Sequence, residues 1–165
     1  MIRINKKKAK FDILIQARLT STRLPGKVLK KIGNRTALKM LLDRLKKTKS
    51  VRNIVIILPK NKKNNFLQKY VKTLGYKTFR GSENNVLDRY YKASKKFNSE
   101  NIIRITSDCP FIDVATLNKM VEIFASLDYD YMSNIDPRTF PKGLDIEIFT
   151  FKTLKKSWSL AKTKY

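Results

Sequence analysis

With 165 residues, 42% of them hydrophobic and aromatics spread along the chain, the protein is long enough for one domain with a real core but short for two. Its composition excludes a disordered polymer, and no apolar run approaches the roughly 18 residues that span a bilayer, so no membrane insertion is expected. The formal charge of +24 invites a nucleic-acid reading, yet the lysines scatter along solvated helical stretches such as "LKKTKS" and "SKKFNSE" and no recognition motif accompanies them, so no specific nucleic-acid partner is expected.

The basic start "MIRINKKKAK" leads into a short apolar run that carries Asp12 and no small-residue cleavage site, which argues against a signal peptide. Residues 1–10 are expected to be a weakly attached basic extension, and residues 11–165 one domain. The single Cys109 has no disulfide partner within the chain, in keeping with a reducing, cytoplasmic setting. The absence of His excludes a His-dependent triad and a conventional zinc site, so any metal here is held by oxygen ligands.

Apolar runs of β type alternate with helical stripes from residue 11 onward. "FDILIQ" (11–16), "NIVIILP" (53–59), "YKTFR" (76–80), "NIIRIT" (101–106) and "YDYMS" (129–133) read as strands. Leu38, Leu41, Leu42 and Leu45 form the first helical stripe. Phe66, Leu67, Tyr70, Val71 and Leu74 form the second, with Gly75 as its stop signal. A third stripe joins Val86, Leu87, Tyr90, Tyr91 and Phe97, and a fourth joins Leu117, Met120, Val121, Phe124 and Leu127. Repeated strand–helix alternation predicts right-handed crossovers, hence a doubly wound α/β fold with a mainly parallel sheet. "LDIEIF" (144–149) alternates in polarity and reads as a further strand, antiparallel or at an edge, followed by a helical segment with Phe151, Leu154, Trp158 and Ala161. That last segment reaches Tyr165 without a stop signal, so the domain is expected to be incomplete at its C-terminus.

Ligands of such sheets bind beyond the carboxyl ends of the strands. The first of those ends is "QARLTSTRLPGK", Gln16 to Lys27. Arg18 and Arg23 can each give paired hydrogen bonds to phosphate, Lys27 adds a point charge, and Pro25-Gly26 turns the chain back. The same composition also suits a solvated basic loop, and the GxxxxGK[ST] phosphate loop is absent. Asp108, in "TSDCP" after the fourth strand, suits a magnesium ligand, although the motif taken alone favours a turn or helix cap ahead of "PFIDVATL". Cys109 reads as a small core residue, and Tyr90 and Tyr91 as core aromatics. Asp145 and Glu147 share one face of their strand and could act as an acid–base pair or bind a polar ligand, although exposed carboxylates on such strands are commonplace.

"IQARLTSTRLPGKVL", "FRGSENNVLDRYYKA", "IIRITSDCPFID" and "DYMSN...RTFPKGLDIEIF", in this order and spacing, resemble the cytidylyltransferase-like proteins of the spore-coat polysaccharide SpsF group. These are relatives of the CMP-sialic acid (acylneuraminate) and CMP-Kdo synthetases, within the nucleotide-diphospho-sugar transferase (GT-A-like, Rossmann-like) fold. The resemblance implies a nucleotidyltransferase that moves CMP from CTP to a sugar, an acidic one, with release of pyrophosphate, in surface polysaccharide or glycan biosynthesis. It implies Mg2+ as cofactor and a homodimer as assembly. By position, Arg18, Arg23, Lys27 and Asp108 are the catalytic residues, and Asp108 is the metal ligand. Gln16, Ala17, Arg18, Ser21, Arg23, Lys27, Arg80, Gly81, Ser82, Asp88 and Arg89 lie on the nucleotide, and Asp145 and Glu147 face the sugar. Two departures stand out: Ser107 replaces the glycine of a Gly-Asp-Cys-Pro motif, and the family's further C-terminal carboxylate has no counterpart in these residues. Two rival readings are a glycosyltransferase that uses a nucleotide sugar and a non-catalytic nucleotide-binding module.

Overall fold

The computed structural model describes residues 9–138 and 140–161; most of the basic extension and the last four residues lie outside the described part. A six-stranded sheet forms the centre. Its strands are β1 (Phe11–Gln16), β4 (Val51–Pro59), β5 (Lys77–Gly81), β6 (Asn101–Thr106), β7 (Tyr131–Ser133) and β8 (Glu147–Thr150), in the spatial order β5-β4-β1-β6-β8-β7. The pairings among β5, β4, β1 and β6 are parallel, and β8 runs antiparallel to both β6 and β7. A two-stranded hairpin, β2 (Lys31–Ile32) with β3 (Arg35–Thr36), too short to show in the periodicity, precedes the first helix. The doubly wound, mainly parallel sheet expected from the alternation is present. Of the two alternatives for "LDIEIF", antiparallel holds and edge does not: β8 is paired on both sides, and β7 forms that margin. The reason lies in burial, since Ile146 and Ile148 are fully enclosed and call for a central strand.

The helices are α1 (Ala37–Leu45), α2 (Asn65–Thr73), α3 (Val86–Phe97), α4 (Val114–Ser126) and α5 (Phe151–Leu160). Four begin with a side chain that accepts from an amide of the first turn: Thr36, Asn85, Asp113 and Thr150. Each such cap is worth about 1 kcal/mol. Leu38, Leu41, Leu42 and Leu45 bury the inner stripe of α1 against Ile13, Ile15 and Ile56 on one face of the sheet, where α2 and α4 also pack. The opposite face packs Leu14, Val55, Ile57, Ile102 and Phe149 against Tyr90 and Ala93 of α3 and Leu154 of α5. Phe66, expected in the second stripe, points to solvent instead, because Leu67 and Val71 already fill the inner side of α2. No helix among the described residues is long and apolar enough to cross a membrane.

A polar knot holds the amino end of the sheet. The Asp12 carboxylate, buried in β1, accepts from Arg52 Nε at 3.1 Å and Nη2 at 2.5 Å, from Asn53 Nδ2 at 2.9 Å and from Ser99 Oγ at 2.6 Å. Arg52 also donates to the carbonyls of Phe97 and Asn98, which ties the end of α3 to β1 and β4. Burial pushes the Asp12 carboxyl up, but the Arg52, Ser99 and Asn53 hydrogen bonds outweigh it and hold it below the usual carboxylate range. A depressed folded value means that this stabilisation is complete above the unfolded pKa and is lost as pH falls through the folded one. Asp12→Ala, which leaves three donors unmatched, is expected to cost about 3 kcal/mol at neutral pH. Urea unfolding should show that difference shrinking as the pH is lowered toward 2, while the parent loses stability faster than the variant.

Candidate active site

β1 ends at Gln16, and the chain then crosses the carboxyl edge of the sheet. The Ala17 amide still donates to Ile57 O at 3.1 Å. Leu19 N is caught at 2.9 Å by Oδ1 of Asn64, a fully buried side chain itself held by Asn61. The loop closes where Gly26 N donates to Leu19 O at 3.0 Å with Gly26 at φ 67°, a left-handed turn that glycine adopts without strain. Buried Val28 then anchors the short helical turn Lys27–Leu29 in the core. One more main-chain bond, from Ser107 N to Gln16 O at 3.1 Å, holds the loop after β6 beside the loop after β1.

The result is a cavity of about 330 Å3 at the carboxyl ends of the parallel strands. The first loop contributes Gln16, Ala17, Arg18, Ser21, Thr22, Arg23 and Lys27 to its lining. The end of β6 contributes Thr106, Ser107 and Asp108, and the segment entering α3 contributes Glu83, Val86 and Arg89. Four cations face two carboxylates, so the lining is net positive. Lys27 Nζ makes an ion pair with Asp108 Oδ2. Burial alone raises the Asp108 carboxyl, but the hydrogen bonds from Lys27 and Thr106 and the Lys27 charge bring it below its usual range. The capping role that Asp108 might have taken belongs to Asp113, whose Oδ2 accepts from Thr116 N at 2.8 Å, so Asp108 is left to the cavity.

Arg89 is the most unusual of these groups. It is 4% exposed, its Nη1 donates to Ser82 O at 2.8 Å, and its Nε has no hydrogen-bond partner. Burial lowers its pKa, Tyr90 and Glu83 offset that, and the like charge of Arg18 adds to it. Gly81 makes the seat: a Cβ there would stand 2.9 Å from the Phe79 ring and 3.1 Å from Arg89 Cγ. The Gln16 side-chain oxygen is likewise buried without a partner. A guanidinium N–H and an amide oxygen left without partners beside one cavity are costly unless water or a ligand completes them, and an anion with hydroxyl groups supplies an acceptor and a donor.

The other expected site residues are placed elsewhere. Arg80 donates to Asn65 at 2.6 Å and to the Asn61 carbonyl, clamping β5 to the region that opens α2. Asp88 accepts from the Trp158 indole at 3.1 Å and pairs with Lys92 at 3.0 Å, linking α3 to α5. Gly81 and Ser82 shape the seat of Arg89 rather than line the cavity. Asp145 pairs with Arg138 at 2.7 Å, whereas Glu147 pairs with Arg104 and accepts from Tyr131 Oη at 2.8 Å. Thr22, Glu83, Val86 and Thr106 line the cavity without having been singled out; each lies inside or beside a quoted motif, but its direction depends on the fold. Among the described residues no group of three or more His, Cys, Asp or Glu side chains is placed to hold a metal. Cys109 is buried beside Thr106, as expected of a core residue.

Residues 13–165 match the cytidylyltransferase family. The chain belongs to that family. It is 42% identical over 152 residues to an uncharacterised protein of Methanocaldococcus jannaschii, covering 92% of this chain and 61% of that one. It is 38% identical over 131 residues to the spore coat polysaccharide biosynthesis protein SpsF of Bacillus subtilis, covering 74% of this chain and 55% of that one. The structure of a cytidylyltransferase from Leptospira borgpetersenii superposes with a TM-score of 0.90 at 39% identity, covering 94% of this chain and 66% of that one. The chain thus spans somewhat more than half the length of the curated relatives it matches.

The Lys27–Asp108 pair gives a direct test of the site's electrostatics. In Lys27→Met, burial acts on Asp108 without its main counterweight, so the carboxyl is expected to titrate at higher pH than in the parent. Carboxyl-carbon NMR across acidic pH checks this; an unmoved Asp108 would mean that the pair does not persist in solution.

Proposed function

We propose that the chain carries the nucleotide-binding and catalytic face of a cytidylyltransferase that transfers CMP from CTP to a sugar, an acidic one, in surface polysaccharide or glycan synthesis. The observation that carries this reading is the convergence of Arg18, Arg23, Lys27 and the buried Arg89 on one cavity at the strand ends, in a chain of this family. Three arginines and a lysine suit a triphosphate, whose negative charge shifts toward the leaving pyrophosphate as the reaction proceeds.

In the reaction, a sugar hydroxyl oxygen forms a bond to the α-phosphorus. The bond from that phosphorus to the bridging oxygen breaks, and the electron pair leaves on pyrophosphate. The hydroxyl proton is released to solvent. Arg18 and Arg23 hold the phosphate oxygens in line and oppose their charge, which is the larger part of catalysis for this class of step. Arg89, held rigid by its burial and by the Ser82 carbonyl, presents a cation that needs no reorganisation. Gln16 offers its unmatched amide to the nucleotide.

Magnesium fits this site in one form only. The cavity offers one well-placed carboxylate, Asp108, beside the Thr106 and Ser107 oxygens, which suits an ion held largely by substrate phosphates and water rather than by a cage of protein ligands. When bound, the ion neutralises charge on the phosphate oxygens. Asp108 is engaged by Lys27 in the free protein, so the two must separate, and the released lysine is then placed to meet the same phosphates.

Pyrophosphate release, followed with magnesium, each of the four nucleoside triphosphates and a panel of acidic sugars, tests the reading. Release with CTP is expected. If no triphosphate binds while a nucleotide sugar does, a glycosyltransferase takes its place. Arg23→Ala is expected to lower kcat/KM by about a hundredfold, and Asp108→Asn by a similar factor, both with unchanged circular dichroism. Full activity in either variant removes that residue from the mechanism.

A further inference from the structure

Two asparagines join the three loops that leave the carboxyl ends of β1, β4 and β5. Asn64, in the short helical turn Lys62–Asn64 after β4, is a primary amide and yet fully buried. Its Oδ1 accepts from Leu19 N at 2.9 Å in the loop after β1, and its Nδ2 donates to Asn61 Oδ1 at 2.7 Å. Asn61 Nδ2 in turn donates to the Glu83 carboxylate, in the segment between β5 and α3. Donors and acceptors can be arranged in one order only. Leu19 N can only donate, so the amide atom that faces it is the Asn64 oxygen. Asn61 Oδ1 also accepts from Asn64 N at 3.2 Å, which leaves the Asn61 nitrogen for the carboxylate. The bonds thus run in one sense, from a main-chain N–H through two amides to an anion, and in such a chain each bond polarises the next.

The middle of this chain is braced and its far end is a junction. Lys60 N donates to Gly81 O at 2.8 Å and Arg80 donates to the Asn61 carbonyl, so the loop after β4 is fastened to β5 independently of the first loop. Leu19 is where the first loop closes on itself: its carbonyl accepts from Gly26 N at 3.0 Å, while its amide is taken by Asn64. Arg18 stands one residue before that junction, Lys27 one residue after Gly26, and Arg23 on the arc between them. The Leu19 N–H belongs to the same rigid peptide plane as the Arg18 carbonyl, so the Asn64 oxygen sets how the chain leaves Arg18. An apolar side chain at position 64 would avoid the desolvation of an amide, but it would release the Leu19 N–H and the junction with it.

We propose that Asn64 is a positioning residue for the phosphate-binding loop, and that Asn61 and Glu83 complete a relay that holds the main chain carrying Arg18, Arg23 and Lys27 in place before a triphosphate arrives. The inference rests on the cytidylyltransferase reading and adds to it a residue outside the cavity lining. Asn64 acts through the loop, by removing the cost of ordering it from the cost of binding. Glu83 then has two effects of opposite sign. As a carboxylate lining a cavity for anions it repels the ligand, and as the terminus of the relay it holds the loop that attracts the ligand.

Titration calorimetry with magnesium measures CTP and CMP binding, and hydrogen exchange measures protection of the amides of residues 18–26. Asn64→Ala is expected to bind CTP about tenfold more weakly than the parent and CMP within about twofold of it, because a single phosphate draws on fewer of the loop's cations. Exchange should quicken in that loop while β1 and β4 keep their protection. A variant that had merely lost stability would exchange faster throughout and keep the parent's ratio of CTP to CMP affinity. That result, or unchanged CTP binding, overturns the inference and leaves the nucleotide reading standing. Glu83 is exposed, so its variants make little demand on the fold and carry the test should Asn64→Ala not fold. Glu83→Gln keeps an acceptor for Asn61 and removes the charge, so it is expected to bind CTP at least as tightly as the parent. Glu83→Ala removes both, and is expected to bind CTP about threefold more weakly than Glu83→Gln. Charge alone would make these two variants alike, and equal CTP affinities overturn the inference. Failure of the parent to bind CTP overturns the nucleotide reading, and the positioning assignment with it.

Discussion

The bond from the Ser107 amide to the Gln16 carbonyl, at 3.1 Å, is the constraint on which the site depends. It extends the parallel pairing of β1 with β6 one residue past the last ladder position, Gln16 with Thr106. Two loops separated by some ninety residues of chain thereby leave the sheet side by side. Lys27 meets Asp108 only because of this, and the cavity exists only because both loops turn outward from the same point. The side chain of Ser107, standing where the family pattern has glycine, is accommodated because the residue is buried in the wall while its main chain does the joining.

Stability and charge are separated along the strands. At the amino end of the sheet, Asp12 is matched by Arg52, Asn53 and Ser99, and every carboxylate oxygen has donors. At the carboxyl end, Nε of the 4% exposed Arg89 and the buried Gln16 amide oxygen have no hydrogen-bond partner. A folding sequence tolerates such groups only where the rest of the core offsets their cost, and here the offset comes from the apolar middle of β1 and β4.

Much of this was legible in the sequence because strand ends are. Apolar runs located β1 and β6, and the rule that ligands gather at carboxyl ends of parallel strands pointed to residues 16–27 and to Asp108. What did not follow was side-chain direction. Asp88 and Arg89 are neighbours in one motif, yet on a helix consecutive residues point about 100° apart, so Arg89 enters the cavity while Asp88 reaches Trp158 on α5. Arg80 and Gly81 diverge in the same way on β5, because a strand sends successive residues to opposite faces. The alternation of Asp145 and Glu147 suggested a shared role, but β8 begins only at Glu147, and the turn before it gives Asp145 to Arg138. Position in a motif constrains which elements meet; the period of the element decides which atoms do.

The charge of +24, which suggested nucleic acid at first sight, is a different matter from the charge of the site. The excess is mostly lysine on exposed helical faces, where salt screens each group within about 10 Å and ammonium heads stay hydrated. Three of the four cations that line the cavity are arginines: Arg89 is fixed by burial, while Arg18 and Arg23 are exposed side chains of the loop after β1. A guanidinium keeps its planar fork, and burial shields Arg89 from much of the screening solvent. A rise in ionic strength therefore weakens attraction to a polyanion along the surface more than it weakens a contact to the buried Arg89. Bulk surface charge and a buried arginine thus respond to salt on different scales.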